Sequence, residues 1–447
     1  MFHVELGDPR QGRMFHVEQR QLSLLVQCNF LLPCATIRPL FPFPKITAFR
    51  MISLARYSTL LAQPALRSAI AASVLGRLPI GITGLAILML AQDTTGSFGR
   101  GGAVAACYVA GLATLAPLLG RLIDRYGPRP TLLSCAFAFP AALAALVAAL
   151  SARSAPAAPW LAFALAAGAG ACFPPITVCM RTFFKQRLQE EALLATAYSL
   201  ESVLIELIFI LGPVLVAIFV ALASPAAAVL FAAACGCAGT LLFQRSAALR
   251  QWRVEPRGAT SLFGPLAEPG FVPLLIVIVS YASAFGLVEI GTTAYATENG
   301  GPALAGILLG IMSIGSAAGG LVYGSRSWRL PLARQFPLML ALMGLGVAPL
   351  ALLPSPWVFG LWCLAAGIAM APALIMQSML VANNSSPEHS TEAFTWSSTG
   401  LLAGVGLGLT LGGALLEFAK SLAVFAAAAA LSIAAGLLAL PLVKVGS

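Results

Sequence analysis

Residues 120–130 read GRLIDRYGPRP, and they separate two long runs made almost entirely of Ala, Leu, Gly and Val. The stretch holds three arginines and an aspartate, although only 9% of the chain is charged. Charge concentrated between two apolar runs is typical of a short loop between membrane helices. Whether the chain is a membrane protein depends on its other apolar runs.

The chain of 447 residues is 59% hydrophobic and has a mean hydropathy of +0.90. Soluble domains are usually about 45–50% apolar, and a helix of about 20 apolar residues spans the hydrocarbon core of a bilayer. Strands of a transmembrane barrel alternate apolar and polar residues, which these runs do not. We predict an all-α integral membrane protein with twelve transmembrane helices, at residues 68–91, 102–122, 131–150, 159–180, 194–221, 224–243, 271–295, 302–324, 334–353, 356–380, 393–415 and 420–442.

The loops between these runs carry different charge on the two sides of the membrane. We predict a bacterial cytoplasmic membrane as the location of the chain. Arg and Lys concentrate in the cytoplasmic loops of membrane proteins, so we expect both termini inside. The basic loop residues outside are then Arg100, Arg153 and Lys420. Those inside are Arg121, Arg125, Arg129, Arg181, Lys185, Arg187, Arg245, Arg250, Arg253, Arg257, Arg326, Arg329 and Arg334. The net charge of +10 therefore reflects topology and contact with anionic lipid, and no nucleic-acid partner is predicted.

The cysteines and histidines bear on whether the chain is an enzyme or a metalloprotein. Most of the nine cysteines fall inside apolar runs, where a free Cys behaves as a small apolar residue. Cys235 and Cys237 lack the spacing and the His partners of a metal or redox site. The three histidines are dispersed, and no nucleophile stands beside a base. We predict no enzyme activity, no metal and no cofactor.

A shift of about 200 residues aligns the chain with itself. Gly120 falls on Gly320, and the sequence Leu-Ala-Ala-Gly at 165–168 recurs at 364–367. Many transporters are built from two such parallel six-helix halves and bind their substrate at the interface. We predict an N-terminal extension that is disordered or wrongly assigned, a six-helix bundle, a central cytoplasmic loop and a second six-helix bundle, at residues 1–50, 51–243, 244–270 and 271–447.

The loop after the second helix resembles the signature of the major facilitator superfamily, G-x-L-x-D-R-x-G-R-[RK]. Pro128 departs from it, and the matching residues are Gly120, Leu122, Asp124, Arg125, Gly127 and Arg129. The resemblance, which covers residues 60–445, implies two pseudo-symmetric six-helix bundles that move a small organic molecule by alternating access. It also implies that Asp124 joins the halves on the cytoplasmic side in the outward-open state. The expected partner is the start of helix eleven, near Ser390 and Thr391.

A loop that only sets the topology is the alternative. It would explain the three arginines, but not an aspartate that lies between two glycines. Gly120 lets a membrane helix approach a neighbour closely, and Asp124 at the membrane edge can face a helix N-terminus. These residues therefore favour a gate at this loop.

Four charged residues lie inside the predicted helices and away from their ends: Arg77, Glu201, Glu206 and Glu289. A charge at the centre of a membrane helix costs about 2.5–3.5 kcal/mol on insertion scales, so these residues are candidates for binding the substrate or protons. An apolar span disfavours the ionised form of a glutamate, which can then load and release a proton, whereas Arg77 stays charged. We favour Glu206 for coupling, with Glu289 second. Glu201 and Glu206 project in different directions, and the alternative is that Arg77 and a glutamate form a structural ion pair.

Helix five contains Gly212-Pro213, the centre of the pattern G-x-x-x-G-P-x-x-G-G found in antiporters of the resembled family. The other glycines of that pattern are replaced here, so a simple proline kink is an equal explanation. The family's helix-four pattern R-x-x-Q-G is also missing its Arg and Gln. Any proton coupling must therefore use the glutamates.

We predict a proton-coupled exporter of a small organic molecule, acting as a monomer in the lipid bilayer. The expected cavity side chains are mainly aromatic or methionine, which suits an amphiphilic substrate: Tyr281, Phe285, Met370 and Met376. A uniporter, an uptake carrier, or a membrane sensor or lipid-handling protein on the same scaffold are the alternatives.

The first fifty residues differ from the rest. The sequence MFHVE occurs at 1–5 and again at 14–18, and it can be encoded by a palindromic DNA sequence. A repeated palindrome is more natural as a DNA-binding site than as a peptide motif. We therefore expect translation to start at Met51.

Overall fold

The computed structural model describes residues 55–151, 159–254, 264–299, 302–352, 355–418 and 421–444, so the predicted extension 1–50 lies outside the described residues. Every regular element in these ranges is helical. Twelve helices are long and apolar enough to cross a membrane, which confirms the predicted fold class. In chain order, spans 1 to 12 are Pro64–Thr95, Gly99–Tyr126, Pro128–Ser151, Trp160–Arg187, Glu191–Leu222, Pro225–Gln244, Phe271–Asn299, Leu304–Ser325, Leu332–Leu352, Pro356–Asn383, Pro387–Phe418 and Ser421–Leu442.

Most spans extend beyond the predicted apolar runs. The helices continue into the interfacial layer, where polar side chains meet water and headgroups although the apolar run has ended. Span 4, for example, runs to Arg187 instead of ending at residue 180. The prediction of a loop position was therefore wrong for the basic residues that the spans include, because all of them are helical: Arg100, Arg121, Arg125, Arg129, Arg181, Lys185, Arg187 and Arg334.

Three spans are interrupted near their middle. Pro79 and the pair Pro174-Pro175 remove backbone donors at two of these interruptions, and their rings oppose a continuous helix. The helices on either side of the breaks in spans 1, 4 and 10 are Pro64–Arg77 and Pro79–Thr95, Pro159–Ala171 and Ile176–Arg187, and Pro356–Gly367 and Met370–Asn383. The first interruption leaves Arg77 in the last turn of a helix, where a positive charge is favourable.

Shorter helices lie outside the spans or at their ends. One precedes span 1, two lie in the connection between spans 6 and 7, and the others flank spans 9, 11 and 12. They are Ala55–Ala62, Ala247–Arg250, Gly264–Ala267, Ala348–Leu352, Pro387–His389 and Leu440–Lys444.

The two bundles repeat one packing contact. A Cβ on Gly170 of span 4 would lie 1.9 Å from the carbonyl oxygen of Tyr108 in span 2. In the second bundle, a Cβ on Gly319 of span 8 would lie 1.9 Å from the carbonyl oxygen of Ile368 in span 10. Membrane helices use small residues in this way to bring their backbones close together.

The loops after spans 2, 4, 6, 8 and 10 share one face of the molecule, called here the basic face. Hydrogen bonds join these loops, as in Gln244 Nε2 to the carbonyl of Arg129 at 3.2 Å and Gln186 Nε2 to the carbonyl of Arg253 at 3.0 Å. One cluster of buried side chains crosses from the first bundle to the second near the basic face. Toward the opposite face, each bundle has its own separate cluster. The bundles are therefore joined at the basic face and separated toward the other.

Candidate functional site

Asp124, near the end of span 2, connects the two bundles at the basic face. Its buried carboxylate accepts hydrogen bonds from the backbone N–H groups of Thr391 at 3.0 Å and Glu392 at 2.8 Å. These residues form the first turn of the helix Ser390–Phe418, where backbone donors are free and the helix dipole is positive. The structure thus places Asp124 against the helix start that the sequence pointed to. Its role as a gate during transport stays a prediction.

An ion pair lies one turn away on the same two helices. Arg121 Nη2 is 2.6 Å from Glu392 Oε1, and Arg121 Nε is 3.1 Å from both carboxylate oxygens. The Glu392 side chain is 1% exposed, whereas that of Arg121 is 39% exposed. Sequence reasoning missed Glu392, because nothing in its local sequence separates it from an ordinary polar helix start.

The other residues of the loop signature divide into two groups. A Cβ on Gly120 would lie 2.5 Å from Thr395 Oγ1, so this glycine permits the contact between spans 2 and 11. Gly127 follows the last residue of span 2 and has a φ of +81°, a backbone conformation that residues with a side chain rarely adopt. Arg125 and Arg129 are exposed and take no part in the contact between bundles, as the topology explanation expects of them.

Further hydrogen bonds tie the bundles together near the basic face. Lys185 Nζ donates to the carbonyl of Ser385 at 2.7 Å and to its hydroxyl at 3.0 Å. Ser199 Oγ in span 5 donates to the carbonyl of Gly320 in span 8 at 2.6 Å. Neither contact was expected from the sequence, because both partners of each pair lie far apart in the chain.

Three charged side chains of the first bundle meet in its interior. Arg77 Nη2 is 3.6 Å from Glu201 Oε1, and Arg181 Nε is 3.2 Å from the same oxygen. The side chains of Arg77 and Glu201 are 2% and 1% exposed, and that of Arg181 is 13% exposed. The structural ion pair, which is the alternative explanation for Arg77, is therefore present, and its glutamate is Glu201. Arg181 is a third member that the sequence did not indicate.

The two remaining intramembrane glutamates do not join this cluster. The half-buried Glu206 accepts a hydrogen bond of 2.7 Å from the hydroxyl of Ser316 in span 8 of the other bundle. Glu201 and Glu206 therefore point to different neighbours, as their spacing predicts. Glu289 in span 7 is exposed at the protein surface. Their roles in transport stay predictions.

A chain of hydrogen bonds crosses the second bundle beside the charged cluster. The Tyr281 hydroxyl donates to Gln377 Oε1, and Gln377 Nε2 lies 2.6 Å from Ser397 Oγ. All three residues are buried, and they come from spans 7, 10 and 11. The guanidinium of Arg181 acts electrostatically on Tyr281 across the interface between the bundles.

Gly212 and Pro213 belong to a helix contact in the first bundle. A Cβ on Gly212 would lie 2.3 Å from the carbonyl oxygen of Gly81 in span 1. Pro213 lies inside the helix Glu191–Leu222, which continues past it. Close packing of spans 1 and 5 therefore accounts for the glycine.

Metal-ligating residues do not gather at these polar groups. Within the described ranges, no group of three or more His, Cys, Asp or Glu residues is placed to hold a metal ion. His389 lies at the basic face, 3.5 Å from Glu268. The interior groups that can bind a solute are thus guanidinium, carboxylate, hydroxyl and amide groups.

Comparison with known proteins agrees with this architecture. The family model of the Major Facilitator Superfamily matches residues 69–298, just over half of the 447 residues. A search of the curated proteins found no match. The human organic anion transporter MFSD10 (TETRAN) has a similar structure, with a TM-score of 0.66 and 20% identity over 84% of this chain and 100% of that chain.

Two further solved structures are similar at lower identity. A bacterial homologue of the iron transporter ferroportin, in the outward-facing state, has a TM-score of 0.67 and 15% identity over 85% of this chain and 98% of that chain. The E. coli fucose:proton symporter FucP has a TM-score of 0.61 and 12% identity over 84% of this chain and 98% of that chain. The match to the family model and the twelve-helix fold together show that the chain belongs to the Major Facilitator Superfamily, whose members are membrane transporters and not enzymes.

Proposed function

We propose that the chain exports a small organic molecule from the bacterial cytoplasm in exchange for protons, as a monomer in the cytoplasmic membrane. By the positive-inside rule, the basic face is the cytoplasmic one and both termini are cytoplasmic. The core cluster shared by the two bundles then lies on the cytoplasmic side, and each bundle has its own cluster toward the outer side. Alternating access follows when the two bundles rock about the site between them.

The observation that carries proton coupling is the contact of Glu206 with the other bundle. Glu206 lies in span 5, and its hydrogen-bond donor Ser316 lies in span 8, 2.7 Å away. A charged carboxylate at this depth costs about 2.5–3.5 kcal/mol, and a hydrogen bond from a hydroxyl offsets part of that cost. Movement of the bundles changes this hydrogen bond, so the affinity of Glu206 for a proton differs between the two states. Such a difference is what links proton binding to a conformational equilibrium.

The substrate side of the proposal rests on the apolar residues of the interior. Tyr281 and Met376 are buried, while Phe285 and Met370 are half-buried and pack against the core cluster shared by both bundles. Aromatic and methionine side chains of this kind suit an amphiphilic compound. The similarity to the fucose:proton symporter supports a fold that is compatible with proton coupling.

Flux in proteoliposomes tests the proposal. The purified protein is reconstituted with the pH dye pyranine inside, and a pH gradient drives the accumulation of compounds from an amphiphilic library. We expect Glu206→Gln to abolish gradient-driven accumulation and to preserve downhill exchange of the same compound. Glu191→Gln is the matched control, because Glu191 is an exposed residue at the start of the same span.

Each alternative function predicts a different result. A full response to the gradient in the Glu→Gln variants at 201, 206 and 289 would contradict proton coupling and favour a uniporter. Coupled flux in the opposite direction would identify an uptake carrier. Binding without flux for every compound would favour a sensor or lipid-handling protein.

A further inference from the structure

The charged cluster in the first bundle holds more positive than negative charge. Arg77 and Arg181 share a single carboxylate, that of Glu201. The groups that act electrostatically on Arg77 are Glu201, Arg181 and the thiol of Cys179, so among the described residues Glu201 is the carboxylate that acts on it. Burial of an unpaired charge costs free energy, and two guanidinium groups with one carboxylate leave one positive charge without a negative partner.

The cluster also has unused hydrogen-bonding capacity. In the described residues, Arg77 Nε and Nη2 and Glu201 Oε2 are buried and make no hydrogen bond. A guanidinium presents its donors in a planar fork that matches the paired oxygens of a carboxylate or a sulfonate. Two such forks face one carboxylate here, so the donors exceed the acceptors.

Arg181 lies close to the interface between the two bundles. Arg181 is the most exposed of the three side chains, at 13%. Its backbone carbonyl accepts a hydrogen bond from Tyr198, whose ring packs against Phe394 of span 11 with centroids 6.2 Å apart. Across the interface, Tyr281 begins the hydrogen-bonded chain of the second bundle. A ligand held by Arg181 would therefore lie near the interface between the two bundles.

We propose that Arg77 and Arg181 bind the oxyanion group of a small amphiphilic organic anion, with Glu201 as an internal anion that competes with it. This inference rests on the proposed transport function and names its substrate class. The bound anion balances the second guanidinium and uses the free donors of Arg77. The half-buried Phe285 and Met370 provide apolar surface for the rest of the molecule. Glu201 holds the arginines in place while the site is empty.

Binding of three probes that share a ring and differ in charge tests this site without requiring transport. They are benzenesulfonate, neutral benzenesulfonamide and benzyltrimethylammonium. Thermal unfolding of the full chain in detergent is measured across a concentration series of each, because a ligand that binds the folded state raises the unfolding temperature. We expect benzenesulfonate to bind at least about tenfold more tightly than the other two, which is the effect of one charge-assisted hydrogen bond.

Variants assign the binding to named residues. Arg181→Gln should weaken benzenesulfonate about tenfold to hundredfold, and Arg181→Lys, which keeps the charge and loses the fork, should give a smaller loss. Glu201→Gln should tighten binding on the order of tenfold, because it removes the internal competitor. Arg187→Gln is the matched control, since Arg187 is exposed on the same helix, and it should change nothing.

Several outcomes would overturn the proposal. Equal binding of the three probes to the wild-type chain, or unchanged benzenesulfonate affinity in both Arg181 variants, would leave the cluster a structural ion pair. Preferred binding of benzyltrimethylammonium that is lost in Glu201→Gln would make it a cation site. Benzenesulfonate binding without flux in proteoliposomes would contradict the proposed function and leave the anion site standing. Flux of only the neutral or the cationic probe would contradict the anion site and leave the proposed transport function standing.

Discussion

Asp124→Asn should open the basic face. The aspartate accepts two backbone hydrogen bonds at the start of the helix Ser390–Phe418, and asparagine keeps one acceptor oxygen while turning an amide donor toward the second N–H. Loss of one hydrogen bond to a charged group costs about 1.5–3 kcal/mol. Loss of the negative charge at the helix N-terminus adds about 0.3–1 kcal/mol.

These contributions predict a large shift between the two states. A total of roughly 2–4 kcal/mol corresponds to about a hundredfold change in the ratio of the closed to the open basic face, at about 1.4 kcal/mol per factor of ten. The change affects only contacts between bundles, so membrane insertion and the helices themselves should be preserved. Transport should fall, because the state that is closed at the basic face becomes rare.

The distance between two spin labels measures the shift. Cysteines at Gln189 and Ser327, in a background without other cysteines, place labels on exposed loops of the two bundles at the basic face. The wild-type chain should show mainly the shorter distance, and Asp124→Asn mainly a longer one. Asp93→Asn is the control, since Asp93 is an exposed aspartate near the opposite face. Identical distance distributions together with unchanged flux would refute the gate and return the loop to a role in topology alone.

Four further substitutions test the neighbourhood of this contact and the packing inside the first bundle. Gly120→Ala should also favour the longer label distance, because its Cβ would lie 2.5 Å from Thr395, whereas Gly102→Ala on the same span meets open space and should have no effect. Arg121→Gln should open the basic face more than Glu392→Gln does. The first variant leaves the buried Glu392 carboxylate without its arginine, whereas the second leaves Arg121, which reaches water. Equal effects of the two would contradict this reasoning. Gly212→Ala should lower the unfolding temperature of the chain, because the added Cβ would overlap the backbone of span 1; an unchanged value would show that spans 1 and 5 can separate freely.

The sequence by itself determined the twelve membrane helices and much of the contact that the loop after span 2 makes. In a bilayer each helix must satisfy its own backbone hydrogen bonds, so the spans can be recognised from local hydropathy without knowledge of the fold. The local sequence also singles out part of the loop after span 2. A loop that only carries positive charge does not need a carboxylate between two glycines, as in Gly120, Asp124 and Gly127. The ends of the spans do not follow from hydropathy, because the helices continue past the apolar run.

The partners of the charged residues were decided only by the tertiary structure. Arg181 was predicted to lie in a loop and instead completes the cluster of Arg77 and Glu201. Glu392, which holds Arg121, lies 271 residues away from it in the chain. Inside a membrane the helices associate through close backbone contacts and a few polar pairs, without a hydrophobic driving force to orient each face. Hydropathy therefore shows that a helix crosses the membrane, but the neighbour that each charged side chain meets depends on how all twelve helices pack.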